Sequence, residues 1–318
     1  MKASKIYERF ENKRTATEDD LLLYEQIGED QFGIKINDHL VPLDSFNERD
    51  ELDANEKEKA YKSPPFWDLE TNQFSCDNLL PNVDNRNYQT PIKNQLNRGT
   101  CVCFASLACL EAIAKRKGLD LDLSEQFANW SYMDFENRDQ CDSGLRTTSS
   151  AKYLKRRGVC VENLLPYEDQ QTVNRNCSFV PSSPVQTNAT FGIKDYSIID
   201  KIGYYGPSIA NTDYLECILS QGYDIVIGTH VAWGRPDTNG VHDVILDIYG
   251  NPLASRGGHA MLMVGYDRTE LEPYFILKNS WGSADGINGY RYLSYDYIRK
   301  YIKYGYIVKE VNFDMSNE

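Results

Sequence analysis

The stretch that decides the fold reads Asn94-Gln-Leu-Asn-Arg-Gly-Thr-Cys-Val-Cys-Phe-Ala-Ser-Leu-Ala-Cys-Leu-Glu-Ala-Ile-Ala-Lys-Arg-Lys-Gly118. Its first part is polar and rich in turn residues, whereas its second part, from Cys101, carries apolar residues at helical spacing. Basic residues followed by Gly118 are typical of a helix C-terminus, and Thr100 is a suitable N-cap. The sequence therefore predicts a helix that begins at or next to Cys101.

A cysteine at a helix N-terminus has distinctive chemistry. Unpaired backbone N–H groups and the helix dipole stabilise negative charge there, so the Cys101 thiol would ionise more readily and form a nucleophilic thiolate. Cys103 would point to another helix face and pack, and Cys109 is typical of a small core residue. Considered alone, Cys101 is more typical of a buried structural thiol, so a catalytic role depends on the residues around it.

Those residues resemble the active-site segment of papain-like cysteine peptidases. Gln95 lies six residues before Cys101, and Glu111 lies ten residues after it. The family pattern has an aromatic and a small residue directly after the catalytic cysteine, and here Val102 and Cys103 stand in those places. The alternative register, with Cys103 as the nucleophile, misplaces both Gln95 and Glu111. The resemblance therefore implies that Cys101 is the nucleophile.

Two later segments supply the rest of the family pattern. His259 follows two glycines at the head of an apolar run over residues 260–264, which is typical of a buried strand. This segment resembles the family's Gly-His-Ala-x-x-x-Val-Gly-Tyr pattern, and the segment around Asn279 resembles its Lys-Asn-Ser-Trp-Gly pattern. The resemblance implies that His259 is the base and that Asn279 orients the imidazole. Trp281 would cover that hydrogen bond, or pack in the core, or both.

The implied chemistry is peptide hydrolysis through a covalent acyl-enzyme. Cys101 would attack the carbonyl, its backbone N–H and the Gln95 amide would hold the oxyanion, and His259 would protonate the leaving amine. No metal and no organic cofactor is expected. Two alternatives remain open: an acyl transferase using the same Cys-His-Asn site, and a catalytically silent papain-like binding scaffold.

A smaller group of residues is predicted to bind substrate. Gly144 matches a glycine that presents backbone to substrate in the family, and Ser143 replaces a second one. Gly258 and Trp281, beside the proposed base and its partner, complete the set. Arg146, close to the same turn, either favours an acidic substrate side chain or is an ordinary surface charge.

The resemblance covers about residues 80–310 and implies an α+β, papain-like two-lobed fold. A helical lobe is predicted over about residues 86–196 and an antiparallel, β-barrel-like lobe over about 197–318, with the active site in the cleft between them. Together they form a catalytic domain predicted over residues 79–318. Residues 1–78 are predicted to be an acidic, propeptide-like extension.

The extension has few long apolar runs. Thr17 and Asp20 form a capping pair for a helix expected to reach Ile27, and residues 33–36 and 39–42 suggest short extended pieces. A helix is also predicted over residues 4–14, and a solvated helix or linker over 47–62. The position of the extension suggests that it occupies the cleft as an inhibitor. A permanent accessory segment or a partner-docking arm is the alternative.

Composition restricts the partners. A net charge of −13 argues against nucleic acid, because phosphate binding requires clustered Lys and Arg. No apolar run is long enough to span a membrane, and the N-terminus has no apolar signal region. The expected partner is a peptide or protein substrate.

The eight cysteines are spaced irregularly. Secreted family members carry a disulfide-bonded cysteine three residues before the nucleophile, where this chain has Arg98. Bacterial-type members also tend to lack it, and the segments that begin at Gly158 and Gly289 resemble those members most. A mostly reduced protein, cytoplasmic or otherwise intracellular, is therefore expected.

Overall fold

The computed structural model describes residues 10, 12–29, 31–36, 39–44, 67–68, 73–74, 76, 79–142, 144–200 and 208–313. The helices are Glu18–Leu21, Cys101–Arg116 (the central helix), Glu125–Phe135, Thr147–Arg156, Gln170–Val173, Ser183–Thr187, Thr212–Ser220 and Tyr295–Tyr301. The strands are β1 Tyr24–Gln26, β2 Phe32–Ile36, β3 His39–Pro42, β4 Trp67–Asp68, β5 Gln73–Phe74, β6 Asn82–Asp84, β7 Gly192–Ile199, β8 Ile225–His230, β9 Val241–His242, β10 Gly258–Asp267, β11 Tyr274–Lys278, β12 Tyr290–Ser294 and β13 Ile302–Asn312.

The central helix begins at Cys101, as its sequence predicts, and ends before Gly118, whose φ of 79° suits a glycine. The prediction that the Thr100 side chain caps this helix is wrong. Its hydroxyl lies 2.7 Å from the Tyr167 hydroxyl, which in turn donates to the carbonyl of Gln95 at 2.9 Å. Tyr167 therefore holds both ends of the loop that leads into the helix.

The main sheet has the strand order β7-β13-β8-β10-β11-β12-β9, and β6 pairs with β10. Its pairs are antiparallel except for β9 with β12. Because side chains alternate across a strand, β10 contributes to two cores. Ala260 and Leu262 share one core with Leu110 of the central helix, whereas Met261 and Met263 belong to the other. Helices and a mixed sheet thus confirm the α+β prediction.

The described parts of the extension pack into the second of these cores. Ile34, Val41 and Leu43 are buried there together with residues of the main sheet. The predicted Thr17–Asp20 capping box is present, and the two predicted extended pieces are β2 and β3. The prediction of a helix reaching Ile27 is wrong, since the helix ends at Leu21 and β1 follows. Most of the helix predicted over residues 4–14, and all of the helix or linker predicted over residues 47–62, lie outside the described residues.

Four of the eight cysteines form disulfides, so the expectation of mostly reduced thiols is wrong. The pairs are Cys76–Cys217 and Cys141–Cys177, with Cα atoms 5.6 and 5.1 Å apart. The two partners are 141 positions apart in the first pair and 36 positions apart in the second. Such pairings cannot be deduced from a single sequence. The first pair ties the end of the extension to the helix Thr212–Ser220. Among the described residues, no helix is long and apolar enough to cross a membrane.

Candidate active site

The sheet brings His259 and Asn279 together. His259 lies at the start of β10 and Asn279 directly follows β11, and these strands pair with Leu262 opposite Lys278. The imidazole Nε2 lies 2.7 Å from the amide Oδ1. His259 is only 4% exposed, so water competes little for this hydrogen bond.

Neighbouring groups determine which way the Asn279 amide points. Its Nδ2 donates to Asp285 Oδ2 at 2.8 Å, and its Oδ1 accepts the backbone N–H of Ser280 at 2.9 Å. A carboxylate only accepts and a backbone N–H only donates, so the amide cannot be reversed without losing both contacts. His259 Nε2 is therefore the donor, and Nδ1 keeps its lone pair for a proton.

A buried ionic pair holds this arrangement from behind. Arg291 Nε donates to Asp285 Oδ2 at 3.1 Å, and a second guanidinium nitrogen contacts Oδ1. Arg291 also donates to His242 Nε2 at 2.7 Å. Burial and the charge of Arg291 lower the pKa of His242 to about 3, so this imidazole stays neutral and accepts. Sequence reasoning missed all three residues, because no local pattern marks them.

Aromatic rings enclose the His259–Asn279 pair. The Trp281 ring stacks on the imidazole with centroids 4.4 Å apart. Trp233 packs edge-on against Trp281 at 5.6 Å, and the Arg291 guanidinium lies 4.9 Å from the Trp233 ring centroid. The expected covering of this pair by Trp281 is thus seen in the structure, with Trp233 as a second layer that sequence reasoning did not find.

Cys101 meets the extension in the cleft. Its Sγ lies 3.5 Å from Asp44 Oδ2, and it also contacts the backbone of Ala260, the residue after His259. Asp44 forms two backbone hydrogen bonds with Gly258, at 3.0 and 2.9 Å. One residue of the extension, Asp44, therefore contacts both the predicted nucleophile and a predicted substrate-binding glycine.

Burial dominates the electrostatics of the cleft in this state. It raises the pKa of the Cys101 thiol well above its ordinary value, and the nearby Asp44 charge adds to that rise. It lowers the pKa of His259 to about 4. In this state burial therefore favours the neutral thiol and the neutral imidazole, and so opposes the ready ionisation of Cys101 that its position at a helix N-terminus predicts.

Gln95 connects the loop before the central helix to the segment after β11. Its Oε1 accepts from the Ser280 hydroxyl at 2.6 Å, and its Nε2 donates to the Arg98 carbonyl at 2.6 Å. Its backbone N–H also donates to the Ser280 carbonyl at 2.8 Å. An amide nitrogen carries two N–H groups, so one can hold the loop while the other serves a substrate oxygen.

Gly144 lies across the cleft. It has a φ of 79°, and a Cβ at this position would be 3.9 Å from Asp44 Oδ1. Its carbonyl accepts from Arg138 Nη1 at 2.9 Å. Ser143, also predicted to bind substrate, lies outside the described residues.

Comparison with known proteins identifies the family. Residues 79–305 match the family model described as papain family cysteine protease. Chymopapain of Carica papaya is 28% identical over 91% of this chain and 77% of its own length. Mexicain of Jacaratia mexicana is 32% identical over 63% of this chain and 81% of its own length.

The structure of Xylellain, a cysteine protease from Xylella fastidiosa, superposes with a TM-score of 0.60 at 24% identity, covering 77% of this chain and 94% of that one. At this identity the likeness shows the fold, which is the predicted two-lobed papain-like one. The chain belongs to the papain family of cysteine proteases.

We expect Asp285→Asn to lower kcat about tenfold or more. The carboxylate accepts from Asn279 and Arg291 with one oxygen and from Arg291 again with the other. The new amide offers a single oxygen and no charge, so it loses at least one charge-assisted hydrogen bond worth about 1.5–3 kcal/mol, and the Asn279 amide is held less firmly. Steady-state kinetics on one peptide substrate measures the effect. Asp267→Asn, which changes a residue that caps its own turn, is the matched control, and equal kcat values for the two variants would contradict the assigned role.

Proposed function

We propose that this chain is a cysteine endopeptidase acting through Cys101, His259 and Asn279. The observation that carries the proposal is the hydrogen bond between His259 Nε2 and Asn279 Oδ1, at 2.7 Å, in a strand that contacts the Cys101 thiol. This hydrogen bond leaves the second imidazole nitrogen available as a base. The next residue in the chain, Ala260, contacts the free thiol of Cys101 at the helix N-terminus through its backbone.

In the proposed reaction, the Cys101 thiol gives its proton to His259 Nδ1, and the thiolate attacks the peptide carbonyl. The oxyanion is held by the Cys101 backbone N–H and Gln95 Nε2, and one such donor contributes about 10²–10³ in rate. The imidazolium protonates the leaving amine as the C–N bond breaks. Water, deprotonated by His259, then hydrolyses the thioester and restores the thiol.

We further propose that residues 1–78 hold the enzyme inactive. Asp44 lies on the nucleophile and pairs with Gly258, where a substrate backbone would lie, and the described part of the extension shares a core with the catalytic sheet. The same contact helps to keep the thiol neutral. A permanently docked accessory segment would leave Cys101 blocked, so the contact favours an inhibitor that must be displaced.

The nucleophile is tested by labelling the full chain with an epoxysuccinyl peptide, read by intact mass and peptide mapping. A single adduct on Cys101 is expected, because a positioned base activates this thiol alone among the free cysteines. Cys101→Ser should abolish labelling and Cys103→Ser should retain it. An adduct on Cys103 would show that Cys103, and not Cys101, is the nucleophile. Labelling with aminolysis but no hydrolysis would indicate a transferase. No labelling, even after the substitution Leu43→Asp has displaced the extension, would indicate a silent scaffold.

The blocking extension is tested with Leu43→Asp in the full chain. Leu43 is 1% exposed and packs on Gly257, and burying an unpaired carboxylate there costs several kcal/mol. The extension should therefore leave the cleft, and labelling of Cys101 should accelerate at least about tenfold. Leu22→Asp, at an exposed position of the same extension, is the control. Unchanged labelling of the Leu43 variant would remove the inhibitory role.

Inhibition should also depend on pH through Asp44. Burial raises its pKa from 3.8 to about 7, although the hydrogen bond from Cys101 and the charges of Lys303 and Arg138 oppose the rise. Between pH 3.8 and about 7, Asp44 is therefore protonated when the extension is docked and ionised when it is not. The docked state is most stable relative to the undocked state below about pH 4, and it loses stability as the pH rises to about 7.

Asp44→Asn cannot ionise and removes this dependence. The labelling rate of the wild type relative to the Asp44→Asn variant should therefore rise from pH 4 to pH 7 and then level off. The ratio corrects for the titration of Cys101 and His259, which both proteins share. A ratio independent of pH would show that Asp44 does not control docking.

A further inference from the structure

A cavity of about 380 Å³ opens beside the proposed catalytic residues. Gly144, Gly258 and His259 contribute to its lining, and Asp44 of the extension forms part of its wall. Its volume lies in the range of sites that receive ligands. A peptide whose backbone replaced Asp44 along Gly258 would have this space available for one of its side chains.

The cavity is basic although the chain as a whole carries a net charge of −13. Among the described residues, two carboxylates line it, those of Glu136 and Asp44, and the Tyr153 hydroxyl donates to Glu136. Once the extension leaves, Glu136 alone remains. The basic side chains of the lining are Arg138, Arg146, Lys152 and Lys303.

Two of these cations act on the place where substrate would lie. Lys303 Nζ is 3.8 Å from the position of a Cβ built on Gly258, and Arg138 donates to the carbonyl of Gly144 at 2.9 Å. Both charges favour the ionised form of the carboxyl group now in the cleft, that of Asp44, against the effect of burial on its pKa. These two cations therefore offset part of the cost of burying a carboxylate here, although burial still raises the pKa of Asp44 to about 7.

We propose that this cavity is the subsite that selects an acidic side chain of the peptide substrate, with Lys303 as the residue that determines the selection. The inference rests on the proposed peptidase function. Arg138 is committed to the Gly144 carbonyl and to Asp142, so its main effect is on the shape of the turn. Lys303 carries a point charge on a flexible stem, and its Nζ lies 3.8 Å from the Cβ position of Gly258. The side chain is half-buried, and Coulomb attraction in such a place exceeds that in water.

The test uses peptides with a single Glu at each of the four positions before the scissile bond, each paired with its Gln counterpart. The protein is the full chain, as wild type and with Leu43→Asp to clear the cleft. The readouts are the Glu/Gln ratio of kcat/KM and, with Cys101→Ser added, the Glu/Gln ratio of peptide affinity. Lys303→Glu is compared with Lys300→Glu, which makes the same charge change at an exposed residue.

At one position the kcat/KM and the affinity for the Glu peptide should exceed those for the Gln peptide about tenfold. The preference should shrink as ionic strength rises, since partly exposed charges are screened. Lys303→Glu should invert the ratio, and Lys300→Glu should leave it unchanged. A ratio near one at all four positions, or one insensitive to Lys303→Glu, would overturn the subsite. A Glu preference in binding with no hydrolysis of any peptide would instead overturn the peptidase function and leave the subsite.

Discussion

The ionic pair between Asp285 and Arg291 is not part of the proposed Cys-His-Asn site, yet the geometry of that site depends on it. An amide is nearly symmetrical in shape, so only its partners decide whether oxygen or nitrogen faces an imidazole. Here Asp285 takes the Nδ2 of Asn279 and thereby leaves Oδ1 for His259. Because Arg291 is buried with the carboxylate and is covered by Trp233, the pair is shielded from water, and the orientation of the imidazole follows from it.

A second buried network places the proposed oxyanion donor, Gln95, relative to the proposed nucleophile, Cys101. Glu111 is a buried residue of the central helix. Its carboxylate accepts from the Thr90 hydroxyl at 2.6 Å, from Lys93 Nζ at 2.9 Å and from the Leu123 backbone N–H at 2.9 Å. Removing one partner of such a buried set leaves an uncompensated charge, so the set holds together. The segment that leads to Gln95 is thereby tied to the helix that begins at Cys101.

Arg98 stands where the family resemblance implies a disulfide-bonded cysteine in secreted members. Here noncovalent contacts of Arg98 hold the loop instead. Its guanidinium donates to Gln126 Oε1 at 2.7 Å and to the Glu168 carbonyl at 2.8 Å, and it lies 5.0 Å from the ring centroid of Tyr167. The loop before the nucleophile is thus held by charge-assisted hydrogen bonds and a cation–π contact. The absence of the expected cysteine at position 98 therefore does not indicate that disulfides are absent elsewhere, and the two that exist join other segments.

The sequence by itself determined the features that depend on near neighbours. The start of the central helix at Cys101, the Ser124 cap of the next helix, the glycine stop at 118 and the buried strand after His259 all follow from local periodicity and capping. The tertiary structure alone decided the contact of Asp44 with a thiol 57 residues away, the hydrogen bonds of Asp285 and the disulfide pairs. It also decided the burial that raises the pKa of the thiol and lowers that of the imidazole. These depend on which distant groups are buried together, and burial changes the energy of a charge more than any local pattern does.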